Sequence, residues 1–277
     1  MIKIKIEKPF KLNDTVTCGQ IFRFYPQDDG SFDVIIKDRV INVYMDEDYL
    51  CVSSNKEENL KEVVMDYFDL NNDYSVMIEF LTNNDEKIRP AALFSKGLMM
   101  IKQDPFETVM SYIISANNGV PQIASALNNI AKSYGKKVMF NDKEYYLFPS
   151  YKDLKDVSVE DFRNCKVGFR DKYLKAMVDK LNNNEVDLEA FYALDTKEAL
   201  DKLMENVGIG PKVASCILLF AYQKYDVFPI DTWVKKVMKN DYEIEGEKNI
   251  RDFATKIYGK YSGIAIQYLF NYGRNKK

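Results

Sequence analysis

The 277-residue chain is 46% hydrophobic and 29% charged, which leaves room for one large globular domain or two smaller ones. It contains no histidine, so imidazole acid–base chemistry, Ser–His or Cys–His nucleophiles and His-based metal centres are excluded, and catalysis must run on carboxylates, lysines, thiols or backbone. The four cysteines, Cys18, Cys51, Cys165 and Cys216, form no CxxC pair, which removes the usual zinc and iron–sulfur spacings, and the net charge of −3 weighs against a polyanionic partner.

No run approaches the roughly 18 apolar residues of a membrane span, and the opening MIKIKIEKPF alternates apolar with charged residues where a signal peptide would be apolar. The expectation is a cytoplasmic, monomeric protein with reduced thiols and no membrane partner. Strand-like alternation then runs through Ile2, Ile4 and Ile6; Ile21, Phe22 and Phe24; Val34 and Ile36; Val40, Ile41, Val43 and Tyr44; and Leu50 and Val52. With Gln27-Asp28-Asp29-Gly30 as a turn, an antiparallel meander is predicted. Ser54 and Glu57 have the form of a capping box, after which Leu60, Val63, Val64, Tyr67 and Phe68 recur at helical spacing.

From there helices dominate. Asp104-Pro105-Phe106-Glu107 offers an N-cap, an N1 proline and an N3 glutamate to a helix carrying Val109, Met110, Ile113 and Ile114 that stops near Asn117-Asn118-Gly119. Further helices are predicted at about 121–134, 170–182, 195–206, 211–223, 231–239, 247–258 and 261–272, with a hairpin through 138–148. The fold class is α+β: an N-terminal antiparallel sheet with helices, then a mainly α-helical body. Positive charge concentrates at Lys166, Arg170, Lys172, Lys175 and Lys180, and again at Lys235, Lys236 and Lys239. Either cluster taken alone reads as a solvated helix face.

The segment Leu203 to Cys216 reads as a helix, a hairpin spaced by Gly208 and Gly210, and a second helix begun by Pro211. The amides at that second start are free to hold a phosphate. A glycine pair by itself is a turn. Lys212 sits where the positive end of a helix dipole favours a neutral, nucleophilic amine, although a surface lysine on a phosphate is the plainer alternative. Nineteen residues on, Val227-Phe228-Pro229-Ile230-Asp231-Thr232-Trp233 places a carboxylate at a helix start, where Asp231 read alone is a cap.

Taken jointly, VGIGPKVAS and PIDTW resemble the helix-hairpin-helix (HhH-GPD) DNA glycosylase superfamily. Gly19-Gln20-Ile21-Phe22-Arg23-Phe24, Asp104-Pro105-Phe106-Glu107-Thr108, Ser115-Ala116-Asn117-Asn118 and Gly168-Phe169-Arg170 resemble segments of its 8-oxoguanine glycosylase/lyase branch, in its bacterial form, and occur in the same order. The resemblance implies an N-terminal α+β domain over 1–104, a helical catalytic domain over 105–277, duplex DNA containing 8-oxoguanine as partner, and base flipping. It implies Lys212 as Schiff-base nucleophile and Asp231 as the carboxylate that stabilises charge on the sugar. The carbonyl of Gly19 would accept the lesion's extra N–H, while Cys216 and Phe270 would sandwich the base, with Ile266 and Trp233 beside them. Asn117 would fill the gap in the duplex, Phe169 would wedge beside the estranged partner and Arg170 would bond it. Gly208 and Gly210 would meet the DNA backbone. No cofactor or iron–sulfur cluster is required, but carbonyls of Met204, Asn206 and Ile209 would hold a structural monovalent cation.

The chain departs from the family pattern at four places: Gln122 where a second arginine reads the opposite cytosine, Phe169 for a tyrosine wedge, Ile266 for a glutamine facing the lesion, and Trp233 for a histidine. These changes imply relaxed selectivity for the opposite base. A monofunctional 3-methyladenine-type glycosylase, against which Lys212 speaks, and a non-catalytic helix-hairpin-helix module are the competing readings.

Overall fold

The computed structural model describes residues 1–276. Its N-terminal part is a five-stranded antiparallel sheet of β1 (Ile2–Lys5), β2 (Phe24–Pro26), β3 (Phe32–Ile36), β4 (Arg39–Asp46) and β5 (Tyr49–Ser54), in the order β1-β5-β4-β3-β2. The meander runs from β2 to β5 as expected, and β1 covers its far edge. Two local expectations change, one of a strand and one of a helix cap. Ile21 and Phe22 lie in a turn, because α1 (Leu12–Thr17) precedes them and the buried Gln20 amide ties the turn to the carbonyls of Thr15 and Met99 and the N–H of Ile101. Ser54 caps no helix: as the last residue of β5 its hydroxyl donates to the Val40 carbonyl, and α2 (Leu60–Tyr67) starts behind Asn59 in a left-handed conformation.

Two helices without an expectation follow, α3 (Tyr74–Asn84), capped by the Asp73 side chain, and α4 (Arg89–Phe94). The Asp104 side chain accepts from Glu107 N at 3.0 Å and starts α5 (Pro105–Ser115), as its sequence required. Then come α6 (Val120–Tyr134), the hairpin β6 (Lys137–Phe140) and β7 (Lys143–Tyr146), α7 (Val159–Asn164) and α8 (Asp171–Asn182). The body ends with α9 (Thr196–Met204), α10 (Pro211–Tyr222), α11 (Thr232–Tyr242), α12 (Glu247–Ile257) and α13 (Ser262–Asn275). No helix is long and apolar enough to cross a membrane among the described residues.

The main core spans the body but draws in Cys18, Tyr74, Leu81, Ile88, Leu98 and Met100 from the first hundred residues, so packing continues across residue 104. Polar contacts make the same join. Arg23, just before β2, is a side chain only 3% exposed; it donates to Glu107 on α5 at 3.0 Å, to Asn128 on α6 at 3.2 Å and to the Tyr146 carbonyl on β7. Its guanidinium also lies 5.6 Å from the Phe148 ring centre. Burial pushes the Glu107 carboxyl up and Arg23 pulls it back. Removing one member of such a pair strands the other in low dielectric. Arg23→Ala is therefore expected to lower stability by about 3–5 kcal/mol in urea unfolding.

Candidate active site

The hairpin between α9 and α10 brings Lys212 to its place. Gly208 has φ +84° and lies so close to α8 that an added Cβ would sit 2.7 Å from the Tyr173 ring. Gly210 is the N-cap of α10 and Pro211 its first residue, which places Lys212 in the first turn, with the next ten residues buried. The Lys212 amine has two neighbours on α5: it donates to Ser115 Oγ at 3.4 Å and stands 5.5 Å from the Tyr112 ring centre. Asp231 does cap α11, accepting from Val234 N at 2.8 Å. The cap also aims it inward, since Asp231 and Lys212 line one cavity of about 200 Å³ with Gly19, Cys216, Ile266 and Phe270.

Cys216 is buried one helical turn beyond Lys212. Burial pushes its thiol up to about 11 even with the Lys212 amine beside it, so it is a neutral wall at working pH. Phe270 lines the same cavity from α13. Trp233 stays off the wall; it packs edge-on against Phe270, with centroids 5.2 Å apart, and so buttresses that ring. The indole has room because residue 273 is glycine: an added Cβ would lie 2.5 Å from Trp233 Cζ2.

The turn carrying Gly19 is fixed by its carbonyls. Thr17 O accepts from Arg274 at 3.2 Å, Cys18 O from Gln267 at 3.4 Å and Gln20 O from Gln103 at 2.8 Å. The Gly19 carbonyl receives no hydrogen bond from any described residue. Its φ of +91°, with Phe270 Cε1 3.3 Å from where a Cβ would be, suits glycine there.

Outside the cavity, Asn117 is exposed in a left-handed conformation at φ 51°, and Gln122 is exposed beside Gly119. Phe169 is 58% exposed on a turn made by Gly168–Arg170. Arg170 itself is only 6% exposed. It donates to the carbonyls of Ala116, Asn117 and Val167, thereby bracing the Asn117 loop, while its plane covers the Phe169 ring at 4.4 Å. At the hairpin, no described donor reaches the Met204 or Ile209 carbonyl, and Asn206 O accepts from Ile209 N at 3.1 Å. Sequence reasoning assigned no role to Tyr112, Gln267 or Arg274; only the i, i+3 spacing of Tyr112 and Ser115 marked a shared face.

Residues 1–109 match the 8-oxoguanine DNA glycosylase N-terminal domain, and residues 110–260 match the HhH-GPD superfamily of base excision DNA repair proteins. The chain belongs to the HhH-GPD superfamily. It is 30% identical over 240 residues to a probable N-glycosylase/DNA lyase of Methanothermobacter thermautotrophicus, covering 79% of this chain and 76% of that one. The Clostridium acetobutylicum 8-oxoguanine glycosylase/lyase in its apo form superposes with a TM-score of 0.93 at 40% identity, over 98% of this chain and 95% of that one. The same enzyme in complex with double-stranded DNA containing cytosine opposite 8-oxoguanine gives 0.93 at 38%, over 99% and 98%. A 3-methyladenine DNA glycosylase from Archaeoglobus fulgidus shares the fold, with a TM-score of 0.82 at 21% identity over 99% of each chain.

In this HhH-GPD chain the hairpin leaves Gly208 no room for a side chain. Gly208→Ala is expected to cost about 1–3 kcal/mol in denaturant unfolding, through positive φ and the Tyr173 collision. Because the displaced segment is the hairpin, duplex DNA binding should weaken whether or not a lesion is present, as measured by anisotropy titration.

Proposed function

We propose that the protein is a bifunctional DNA glycosylase/AP lyase that excises 8-oxoguanine from duplex DNA. The observation that carries this reading is the meeting of Lys212 and Asp231 in one cavity that Gly19, with its unpaired carbonyl, also lines. Lys212, as the free amine, attacks the anomeric carbon of the flipped nucleotide; the bond from sugar to base breaks and its electron pair leaves with the base. The amine then loses its protons as the sugar ring opens to a Schiff base, from which elimination breaks the 3′ carbon–oxygen bond. Asp231, held by its cap bond, offsets positive charge that develops on the sugar only as the glycosidic bond lengthens.

Lesion discrimination follows from Gly19. 8-Oxoguanine presents an N–H to that carbonyl and guanine presents a lone pair, which leaves the acceptor buried without a partner. Cys216 and Phe270 enclose the base, and Asn117, Phe169 and Gln122 face the opened duplex. The chemistry asks for no cofactor. A monovalent cation on the hairpin would be held by the Met204 and Ile209 carbonyls, which no protein donor occupies, together with that of Asn206. We place the enzyme as a cytoplasmic monomer on DNA. A monofunctional glycosylase would leave Lys212 without a purpose, and a purely DNA-gripping protein would leave both Lys212 and Asp231 without one.

Lys212→Gln should still bind lesion DNA and yield no borohydride-trapped adduct, whereas Asp231→Asn should slow single-turnover excision by orders of magnitude with little loss of affinity. Undiminished trapping by the Lys212 variant would transfer the nucleophile's role to another amine.

Opposite-base selectivity is expected to be weak, because Gln122 is uncharged and the Arg170 guanidinium is committed to three carbonyls. One base contact is worth roughly 1–3 kcal/mol, or about one to two orders of magnitude in rate. Excision opposite adenine or guanine should therefore be comparable with excision opposite cytosine, and Gln122→Arg should partly restore a cytosine preference across a panel of four duplexes.

A further inference from the structure

We infer that the Tyr112 hydroxyl is a substrate contact: it donates a hydrogen bond to a carbonyl oxygen of the flipped oxopurine. The inference rests on the glycosylase reading above and deepens it. Tyr112 is only 4% exposed, and its ring is fixed on three sides. It stacks on Phe220 at 5.5 Å and 8°, takes the edge of Phe22 at 5.9 Å, and has the Lys212 amine 5.5 Å from its ring centre. The hydroxyl, by contrast, has no hydrogen-bond partner among the described residues.

Other buried tyrosines do have one. Tyr74 bonds Asp69, Tyr145 bonds Asp33, Tyr222 bonds the Leu188 carbonyl, Tyr258 bonds Asp85 and Tyr268 reaches the Leu98 carbonyl. The two that lack one, Tyr67 and Tyr112, each open onto a cavity. Tyr67 faces the cleft between sheet and body, among Arg23, Asp66 and Lys102; Tyr112 faces the pocket of Lys212 and Asp231. Neither hydroxyl is sealed off, since among the described residues the buried side-chain atom left without a partner is Gln223 Nε2; each is a donor at a cavity surface, open to solvent or to a ligand that displaces it.

The rest of the pocket wall has commitments. Ser115 donates to the Tyr112 carbonyl and accepts from Lys212, Asn118 bonds Ile114 O and Gly119 N, and the Gln267 amide is turned onto Cys18. Ile266 offers no polar atom. Tyr112 is thus the neutral side-chain donor of that wall that is left over, and burial keeps it protonated. A fixed neutral donor matches what Gly19 does not read. 8-Oxoguanine carries two carbonyl oxygens, and Gly19 O, an acceptor, can satisfy neither.

Tyr112→Phe removes the hydroxyl and keeps the ring beneath Lys212. Single-turnover excision of 8-oxoguanine should fall about tenfold relative to incision of a preformed abasic site by the same variant, the worth of one uncharged hydrogen bond. An unchanged ratio overturns the proposal, whether both rates hold or both fall together, since the latter assigns Tyr112 to the support of Lys212. A second measurement omits the chemistry. In a Lys212→Gln background, Tyr112→Phe should weaken binding to an 8-oxoguanine duplex and not to a tetrahydrofuran abasic duplex; equal affinities on both would likewise reject the contact. Failure of the unmodified protein to excise 8-oxoguanine while incising abasic DNA would overturn the functional reading itself.

Discussion

A buried helix can present a charged group only near its ends, and α10 is such a helix. Every residue from Val213 to Tyr222 is buried, between α5 on one side and α9 on another, so its charged group in the pocket is Lys212 in the first turn, while Cys216, Leu219 and Phe220 continue the wall. Gly210 and Pro211 start it without a side-chain cap, which leaves its first amides free. The same constraint fixes Cys216 one turn inward and makes α5 the neighbour that supplies Ser115 and Tyr112. Around this axis the other walls are added by segments distant in sequence: the Gly19 turn, the Asp231 cap and the face of α13.

The acidic balance of the chain is compatible with a DNA partner because the surface beside the pocket does not depend on bulk charge. Its prominent groups are the exposed Val120, Phe169, Met204 and Val207 and the helix start at the hairpin. Apolar wedges act by insertion between bases, and helix amides act on phosphate at contact range. Neither needs a long-range basic field, although association would be steered less strongly than for a basic protein.

The sequence was legible where the function is written in contiguous residues. The glycine hairpin with Pro211 and Lys212, the PIDTW segment, and the Asp104 cap each combine backbone and side-chain requirements within a few positions, and each lies where its pattern required. It was illegible where a role depends on what folds against it. Ser54 had the spacing of a cap, but strand pairing claimed its hydroxyl first. Tyr74–Asn84 mixes apolar and polar residues too evenly to announce a helix, yet Tyr74 and Leu81 reach the main core. Arg170 was legible only as a candidate duplex contact; that its donors turn back to hold the Asn117 loop depends on a segment distant in sequence. Tyr112 looks like any aromatic in a helix until the cavity beside it is known.

The contact between Gly273 and Trp233 constrains how such a chain can be reached by single substitutions. With the indole in place, residue 273 has no space for even a methyl group, whereas a smaller ring at 233 would tolerate glycine or something larger. A glycine must therefore be present before the tryptophan arrives. The reverse order passes through a collision with the ring that packs against Phe270, which lines the cavity. The path is directional, and the two positions are locked to one another although they lie forty residues apart in the chain and on different helices.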